Sequence, residues 1–389
     1  MTDTDAETSL VKIARVETIP IRQELDHPFG NGQGWTTSRQ YLIVRIVADD
    51  GTTGYGECWG PIAGNDGVVE RVLAPMLVGQ DPLDTGRLWE QMQFKLRWAY
   101  HSFSPYSALS GVDIALWDLK GKLLGRPISQ LLGGSFRSVV PAYATGHYFR
   151  KVERLEEQID IVLKEARENL DKGFTQLKLK IGLGLLGWGP EADITLMRAL
   201  REDIGDVPLM VDANCAYTVP AALKVGRAAE ELGIGWFEEP IPPTDLDGYA
   251  ELTAKLDVPV AGGESWALVS QFYDVFRRRA VTLAQPDVCS AGGITEVKRI
   301  ADLAHAVNVR CIPHVWGTPI AIAASLHVLS TLPGDDVLLE FDQSDNPIRE
   351  HLLTEPFRLD EQGRVGVPDA PGLGIEIDEQ QLERFRVGG

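Results

Sequence analysis

Residues 209–240 read LMVDANCAYTVPAALKVGRAAEELGIGWFEEP, and this stretch contains one complete repeat of the pattern that decides the fold. A short apolar run at 209–212 ends in an aspartate, an amphipathic stretch follows at 221–232, and a second short run at 236–238 ends in a glutamate. Short strands that alternate with helices indicate βαβ units and a parallel sheet. The stretch therefore predicts an α/β protein.

The same alternation continues on both sides of that stretch. The β-rich runs are 139–143, 176–181, 209–212, 236–238, 260–261, 282–285, 310–312 and 337–340. Helical periodicity lies between them, at 155–170, 192–204, 221–232, 294–306 and 320–332. Eight such runs are the count of a closed barrel rather than of an open sheet. We therefore predict a barrel of the TIM kind over residues 139–349.

The residues before the barrel predict a smaller α+β domain. Strand-like runs at 11–21, 41–48 and 53–58 suggest a meander, and helical periodicity follows at 68–77, 88–96 and 107–124. The segment after residue 349 has two Gly- and Pro-rich turns and extended structure, and we expect it to pack back on the N-terminal part. The predicted organisation is 1–138 for the first domain, 139–349 for the barrel and 350–389 for the C-terminal segment.

The composition excludes several classes of function. The 389 residues include 37 Lys and Arg against 56 Asp and Glu, which gives a net charge of −19. Nucleic acids and anionic membranes require a basic face, and no apolar run approaches the roughly 18 residues that span a bilayer. The polar N-terminus is unlike a signal peptide, and four cysteines without CxxC spacing indicate reduced thiols. We expect a cytoplasmic protein that binds neither nucleic acid nor membrane.

The most informative polar residues fall at or just after the C-terminal ends of the predicted barrel strands. Seven successive runs carry an ionisable residue there, and from position 212 onward these residues recur every 23 to 27 positions. They are Lys178 and Lys180, Asp212, Glu238, Glu264, Asp287, His314 and Glu340. In a barrel, such strand ends meet around one axis, where the active sites of this fold lie.

Three carboxylates on adjacent strands predict a metal site. A single acidic residue after a strand is more often a helix cap or a surface residue. Asp212, Glu238 and Glu264 together would repel one another unless a cation lay between them. All-oxygen ligands favour Mg²⁺. Glu239 is the alternative to its neighbour, and alternation along a strand would point only one of them inward; we choose Glu238.

Lys178 and Lys180 lie two residues apart on a predicted strand, so their side chains share a face. If both lysines pointed outward, the apolar residues that alternate with them would point into the barrel. The outer side of a barrel strand packs on helices, so the lysines would then be placed against that apolar layer. We therefore expect both lysines inside the barrel. Two ammonium groups near a divalent cation should lower each other's pKa, and a lysine lowered toward neutrality can act as a base.

His314 and Asp287 predict a second proton-transfer group. A lone histidine is more often structural than catalytic. Here a carboxylate lies at the same level on the neighbouring strand, where it would fix the imidazole tautomer and leave the other nitrogen free for proton transfer. Lys180 and His314 come from the second and seventh strands, so we expect them to flank the metal from opposite sides.

Other motifs and function classes are weaker. Residues 182–187 (GLGLLG) match the GxGxxG dinucleotide fingerprint, but the glycines do not open a helix directly, and a barrel loop is the better interpretation. A barrel aldolase or hydrolase would use a Schiff-base lysine or two metals, and no second ligand cluster is visible. A carbohydrate-binding or regulatory protein with an inactive site would not need every one of these ionisable residues.

Taken together, the motifs resemble the enolase superfamily, in particular its mandelate racemase subgroup, over essentially the whole chain. The motifs are Lys178-Leu-Lys180, Val211-Asp-Ala-Asn214, Trp236-Phe-Glu-Glu-Pro240, Ala261-Gly-Gly-Glu264, Gln285-Pro-Asp287 and Pro313-His-Val-Trp-Gly-Thr318. The resemblance implies a modified (β/α)7β barrel with an N-terminal α+β capping domain. It also implies a homo-oligomer, from a dimer up to an octamer.

The resemblance further implies a role for each site residue. Asp212, Glu238 and Glu264 would hold one Mg²⁺ per subunit. Lys180 would be one acid/base and the His314–Asp287 dyad the other. Lys178 would also be catalytic, since Lys178 and Glu340 would polarise the substrate carboxylate and its developing enediolate. Substrate-binding residues would be Lys178, Asn214, His314 and Glu340. Muconate-lactonising enzymes and enolases place a lysine near the sixth strand, where this chain has Asp287, so the resemblance to those subgroups is weaker.

A closer likeness is to the cycloisomerases of D-galactarolactone and 3,6-anhydrogalactonate. It rests on Tyr143-Ala-Thr-Gly146, Glu340-Phe-Asp342 and Pro371-Gly-Leu-Gly-Ile-Glu-Ile377, and acid-sugar dehydratases share most of these motifs. Cys215 stands where the cycloisomerase pattern has a histidine. The implied reaction is Mg²⁺-dependent abstraction of the proton α to a carboxylate, through an enediolate, on an acid sugar or its lactone or anhydro form. Dehydration and racemisation or epimerisation are the alternatives, and loops 30–39 and 59–66 would select the substrate.

Overall fold

The computed structural model describes residues 11–101 and 104–388. The acidic N-terminal residues 1–10, which we judge unlike a signal peptide, lie outside them. The chain begins with an antiparallel meander of β1 (Ile13–Asn31), β2 (Gly34–Ala48) and β3 (Thr53–Cys58). Helices follow: α1 (Ile62–Val68), a π-helical turn (Val69–Leu73), α2 (Ala74–Leu77), α3 (Thr85–Tyr100), α4 (Tyr106–Leu124) and α5 (Ile128–Leu131).

Eight parallel strands then form the barrel sheet. The strands are β4 (Val139–Thr145), β5 (Leu177–Lys180), β6 (Leu209–Asp212), β7 (Phe237–Glu238), β8 (Val260–Gly262), β9 (Leu283–Ala284), β10 (Arg310–Cys311) and β11 (Leu339–Asp342). Their order is β10-β9-β8-β7-β6-β5-β4-β11. The helices between them are α6 (Leu155–Asp171), α7 (Pro190–Ile204), α8 (Val219–Glu231), α9 (Leu246–Lys255), α10 (Leu268–Arg277), α11 (Gly293–Ala306) and α12 (Pro319–Ser330). The predicted barrel with a capping domain is confirmed.

The boundaries of some elements differ from the prediction. Strand β1 ends at Asn31, ten residues after the predicted run, and strand β2 begins at Gly34, seven residues before its predicted run. Backbone pairing forms this longer hairpin, although its polar side chains show no apolar alternation. The eighth barrel strand runs to Asp342 rather than ending at residue 340. Helices α9 and α10 were not among the predicted helical stretches.

The C-terminal segment contacts both parts of the molecule. It contains the end of α13 (Pro347–His351), β12 (Arg364–Gly366) and α14 (Glu379–Phe385). Strand β12 pairs antiparallel with barrel strand β4, whereas the backbone N–H of Val387 donates to the carbonyl of Pro20 in β1. The division of the chain at residues 138 and 349 stays a prediction. Among the described residues, no helix has the length and apolar character needed to cross a bilayer.

Helix α12 lies inside the protein and contains a buried histidine. The ring of His327 accepts a hydrogen bond at Nδ1 from the backbone N–H of Ser129 (3.3 Å) and donates at Nε2 to the carbonyl of Leu373 (3.1 Å). Only a neutral imidazole can accept at one nitrogen and donate at the other. Burial lowers the pKa of His327 to about 4.

We expect His327 to reduce stability in acid. Its folded pKa lies below the unfolded value of about 6.5, so its stabilising contribution is complete above pH 6.5 and is lost as the pH falls toward 4. The free-energy difference is about 3 kcal/mol in total. Urea unfolding of the wild type and of His327→Asn between pH 4 and 8 measures it, with the exposed His305→Gln as the control. Equal pH slopes for the wild type and His327→Asn would contradict the prediction.

Candidate active site

The predicted ionisable residues meet at the C-terminal ends of the barrel strands. Lys178 and Lys180 lie on β5, Asp212 on β6, Glu238 on β7 and Glu340 on β11, whereas Glu264, Asp287 and His314 lie on the loops after β8, β9 and β10. The structure brings all eight into one cluster: ion pairs join Lys178 and Lys180 to three carboxylates and His314 to Glu264 and Asp287, and Glu264 lies close to Asp212 and Glu238. Seven are buried, and the side chain of Glu264 is 10% exposed.

Three carboxylates in this cluster can share a metal ion. One oxygen each from Asp212, Glu238 and Glu264 lies within 4.8 Å of the other two. Burial and the neighbouring carboxylates raise the pKa of Asp212 and of Glu264, despite nearby cationic groups. Close, buried carboxylates are unfavourable without a cation and fit a hard divalent ion such as Mg²⁺.

Neighbouring groups orient the middle ligand. Oε2 of Glu238 accepts hydrogen bonds from Trp236 Nε1 (2.9 Å) and Gln285 Nε2 (2.7 Å). The carboxylate of Glu239 lies apart, where it accepts from Ser265 Oγ (2.9 Å) and from Cys215 Sγ (3.5 Å). The structure thus places Glu238 rather than Glu239 in the cluster.

The two lysines are inside the barrel and paired with carboxylates. Lys178 Nζ lies 2.5 Å from Glu238 Oε1 and 2.7 Å from Glu340 Oε1, and Lys180 bonds to Asp212. The predicted lowering of their pKa is wrong for this arrangement. Burial does lower the pKa of each lysine, but the adjacent carboxylates outweigh it and raise both above the usual value. A divalent cation held by the same carboxylates would act in the opposite direction.

His314 and Asp287 form the predicted dyad contact. His314 Nδ1 lies 2.7 Å from Asp287 Oδ2, and the other oxygen of Asp287 accepts from the backbone N–H of Cys289 (2.6 Å). His314 Nε2 faces Glu264 Oε2 at 3.1 Å. Although burial lowers it, the surrounding carboxylates raise the pKa of His314 to about 10. The imidazole is therefore oriented by one carboxylate and directs its other nitrogen at the cluster.

Glu340 and Asn214, two further predicted residues, also contact the cluster. Glu340 binds Lys178 and also accepts from the backbone N–H of Val315 (3.0 Å). Burial raises the pKa of Glu340, but Lys178, His314 and Lys180 together outweigh burial and lower it. The backbone N–H of Asn214 donates to Asp212 Oδ1 (2.8 Å). The side-chain Oδ1 of Asn214 is buried with no hydrogen-bond partner among the described residues, so it is free to accept from a ligand.

The sequence did not single out Tyr148 and Arg39. The Tyr148 ring lies 5.3 Å from Lys180 Nζ and stacks on Phe29 of the capping hairpin, with 4.3 Å between ring centroids. The buried Arg39 pairs with Asp342 (2.8 Å) and lies over the ring of Trp316. A buried arginine in a polar hairpin has no local signal, because its partners lie some 300 positions away.

The two predicted substrate loops both reach this end of the barrel. Gln33, at the tip of the β1–β2 hairpin, lies 3.9 Å from the Cys215 thiol. Trp59 donates its backbone N–H to the carbonyl of Cys289, two residues after Asp287. The GxGxxG stretch forms a short 3₁₀ turn, Leu183–Leu186. There the N–H groups of Gly182 and Leu183 donate to Asp193 (2.8 and 3.0 Å), so they are not free to bind phosphate.

Two family models match most of the chain. Residues 14–133 match the mandelate racemase/muconate lactonizing enzyme N-terminal domain, and residues 162–381 match the enolase C-terminal domain-like family. The first covers nearly all of the capping meander, and the second covers the barrel from within α6 onward. The matched segments include every ionisable residue of the cluster.

Individual relatives cover nearly the whole chain. D-galactarolactone cycloisomerase of Agrobacterium fabrum is 42% identical over 386 residues, which is 97% of this chain and 99% of the relative. Arabinonate dehydratase of Saccharolobus solfataricus is 36% identical, over 89% and 91% of the two chains. The crystal structure of a racemase from Streptomyces coelicolor with bound magnesium has a TM-score of 0.85 at 32% identity, over 96% of this chain and all of that one.

Proposed function

The chain belongs to the mandelate racemase and muconate lactonizing enzyme family of the enolase superfamily, and we propose that it is a Mg²⁺-dependent sugar-acid cycloisomerase. One geometric observation carries the reaction type: a three-carboxylate cluster contacts Lys180 on one side and the His314–Asp287 dyad on the other. The 42% identity to a D-galactarolactone cycloisomerase supports the substrate class.

Asp212, Glu238 and Glu264 would hold one Mg²⁺ per subunit. When bound, the ion supplies positive charge that stabilises the negative charge developing on the substrate carboxylate. The ammonium of Lys178 adds a second positive charge. It is held in the site by Glu238 and Glu340. Asn214 Oδ1 accepts a hydrogen bond from a substrate hydroxyl group.

Lys180 and His314 carry out the proton transfers from opposite faces of the substrate. One of them removes the proton α to the carboxylate, and the electron pair of the C–H bond moves onto the carboxylate oxygens. The pair then returns to form the double bond between the α- and β-carbons as the bond from the β-carbon to the ring oxygen breaks, and the ring oxygen leaves with the electrons of that bond. The other residue donates a proton to the β-carbon when the resulting enol becomes the ketone. Asp287 keeps the imidazole of His314 oriented through Nδ1, which leaves Nε2 for this exchange.

Acid-sugar dehydration is the second candidate function. It uses the same residues, and the leaving group is hydroxide instead of a ring oxygen. The 36% identity to arabinonate dehydratase and the presence of Cys215 at the edge of the site support it. We also propose a cytoplasmic homo-oligomer, for which light scattering of the purified protein is the direct test. The four thiols in the structure are unpaired, which suits a reducing compartment.

We expect D-galactarolactone to be converted with Mg²⁺. When the reaction runs in D₂O, deuterium should enter the β-carbon of the product, because the α-carbon becomes the keto carbon, and reversible abstraction should label the α-carbon of the remaining substrate. Proton NMR follows both events in one sample. Galactarate, arabinonate and galactonate, incubated in parallel, test dehydration, which yields a 2-keto-3-deoxy acid. Absence of both turnover and deuterium uptake from every one of these compounds would contradict the proposed function.

A further inference from the structure

The two dyad residues lie on neighbouring loops that lead into long barrel helices. Asp287 lies on the loop between β9 and α11, and His314 lies on the loop between β10 and α12. The first turns of both helices are held by buried carboxylates from the capping part of the chain. Groups outside the barrel therefore contact the helices that follow both dyad loops.

Glu57, at the end of capping strand β3, holds the start of α12. Its side chain is buried, and its carboxylate accepts the backbone N–H of Thr318 (3.1 Å to each oxygen) and the Thr318 hydroxyl (2.6 Å). Thr318 is the N-cap of α12 and lies four residues after His314. A carboxylate at this point also complements the positive end of the helix dipole.

Asp113, on capping helix α4, holds the start of α11 in the same way. It is buried and accepts the backbone N–H of Thr295 (2.9 Å) and the Thr295 hydroxyl (2.6 Å). Each capping carboxylate therefore takes both donors of a single threonine in the first turn of a helix. The two contacts occur at successive units of the barrel, which are the two units that carry the dyad.

The approach of both carboxylates requires glycine. A Cβ atom at Gly293 would clash with the carboxylate of Asp113, and one at Gly317 would clash with that of Glu57. Further capping contacts hold the first loop. Trp89 Nε1 donates to the carbonyl of Gly292 (2.7 Å), and the Gly292 N–H donates to Ser110 Oγ (2.9 Å).

The loops that carry the metal-ligand candidates are held differently. In the described ranges 11–101 and 104–388, hydrogen bonds from the capping residues to the segments 209–218, 236–245 and 260–268 amount to one long contact, from Gln33 to Cys215 (3.9 Å). Burying a carboxylate is costly unless its partners compensate, and burial raises the pKa of both Glu57 and Asp113 to about 7. Two buried carboxylates beside the dyad loops therefore indicate that Glu57 and Asp113 hold these loops in position.

We propose that Glu57 and Asp113 are positioning residues that fix the loops of His314 and Asp287 and hold the imidazole in its proton-transfer geometry. This inference rests on the proposed function of His314. It goes beyond that function by making the capping domain part of the catalytic geometry, in addition to its predicted contact with substrate. The two carboxylates act through the loops and touch no reacting atom.

The test compares Glu57→Gln and Asp113→Asn with Asp118→Asn. Asp118 is a buried carboxylate on the same helix as Asp113, but it accepts from the backbone N–H groups of Tyr55 (2.8 Å) and Leu373 (2.8 Å), away from the dyad loops. Hydrogen–deuterium exchange of the purified protein, read by mass spectrometry, should be about tenfold faster at 312–320 in Glu57→Gln and at 286–295 in Asp113→Asn. Exchange at 209–218 should not change, and Asp118→Asn should leave all three segments as in the wild type.

Kinetics provide a readout that a merely structural role would not change. With D-galactarolactone as the probe, kcat should fall about tenfold in Glu57→Gln and Asp113→Asn at an unchanged KM, because geometry of the proton transfer is lost and binding is not. Folded variants with wild-type exchange at both loops would overturn the proposal, as would an equal loss of kcat in Asp118→Asn. If no sugar acid turns over, the proposed function fails, while the exchange experiment still decides the positioning of the loops.

Milder variants keep the test decisive if a carboxylate substitution prevents folding. Thr318→Val and Thr295→Val each remove a hydroxyl that donates to the capping carboxylate, and each keeps the backbone N–H bond. The same hydroxyls accept from the Ile320 N–H (3.1 Å) and from Trp117 Nε1 (2.8 Å), bonds that serine can also make. Each should speed exchange mainly in its own loop, and replacement by serine should restore the wild-type rate. No change in either valine variant would overturn the proposal.

Discussion

Glu264→Gln is expected to reduce turnover by about a thousandfold or more while the protein stays folded. The amide keeps the shape of the side chain but removes one of the three negative charges that would bind Mg²⁺. In enzymes, the loss of one preorganised electrostatic contact already lowers kcat by about 10²- to 10³-fold. Chelation of the wild type by EDTA should have the same effect, and added Mg²⁺ should restore activity. The metal content of the dialysed protein and kcat are the two measurements.

The neighbouring glutamate is the matched control. Glu239 is buried in the same region, but its carboxylate contacts Ser265 and Cys215 instead of the cluster. Glu239→Gln should therefore retain about one equivalent of metal per subunit. Full turnover in EDTA by protein that holds no metal would contradict the metal site, and so would equal metal loss in both variants.

The barrel and its site residues could be predicted because two independent patterns coincide. Buried strands show as short apolar runs, and an ionisable residue ends or follows seven of them at a spacing of one strand–helix unit. That spacing alone brings Asp212, Glu238 and Glu264 to one end of the barrel, as the structure shows. The choice of Glu238 over Glu239 followed from strand alternation, and it agrees with the side-chain placement.

Features that depend on distant or collective contacts could not be predicted. The polar hairpin arm at 22–40 is held by backbone pairing, and its side chains carry no periodicity. The pKa of Lys178 depends on how many carboxylates lie within a few ångströms, and we counted its lysine neighbour but not Glu238 and Glu340. Glu57 shows only as the end of a short strand, because Thr318, which it contacts, lies 261 positions away.

Substitution of either proton-transfer residue is expected to reduce turnover, but each variant should keep a different part of the α-proton exchange. His314→Asn and Lys180→Ala should each reduce turnover of D-galactarolactone by about 10²- to 10⁴-fold, since each removes one group that moves a proton. Each variant should still exchange the α-proton of a substrate presented to the remaining residue. The controls are His327→Asn, at a buried histidine whose ring contacts Ser129 and Leu373 instead of the cluster, and Lys172→Ala, and both should keep wild-type turnover.

The face of the substrate from which the α-proton exchanges shows whether Lys180 and His314 act from opposite sides. The alternative is that one of them transfers every proton with the help of the other. The ammonium of Lys180 bonds to Asp212, and Nε2 of His314 faces Glu264, so the two approach the metal-ligand cluster from different strands. A pair of acid sugars of opposite configuration at the α-carbon, incubated with each variant in D₂O, should therefore label in opposite patterns. His314→Asn should label only the epimer that presents its proton to Lys180, and Lys180→Ala only the other. Identical labelling by both variants would mean that one residue serves both faces, and wild-type turnover in both would exclude them as the proton-transfer groups.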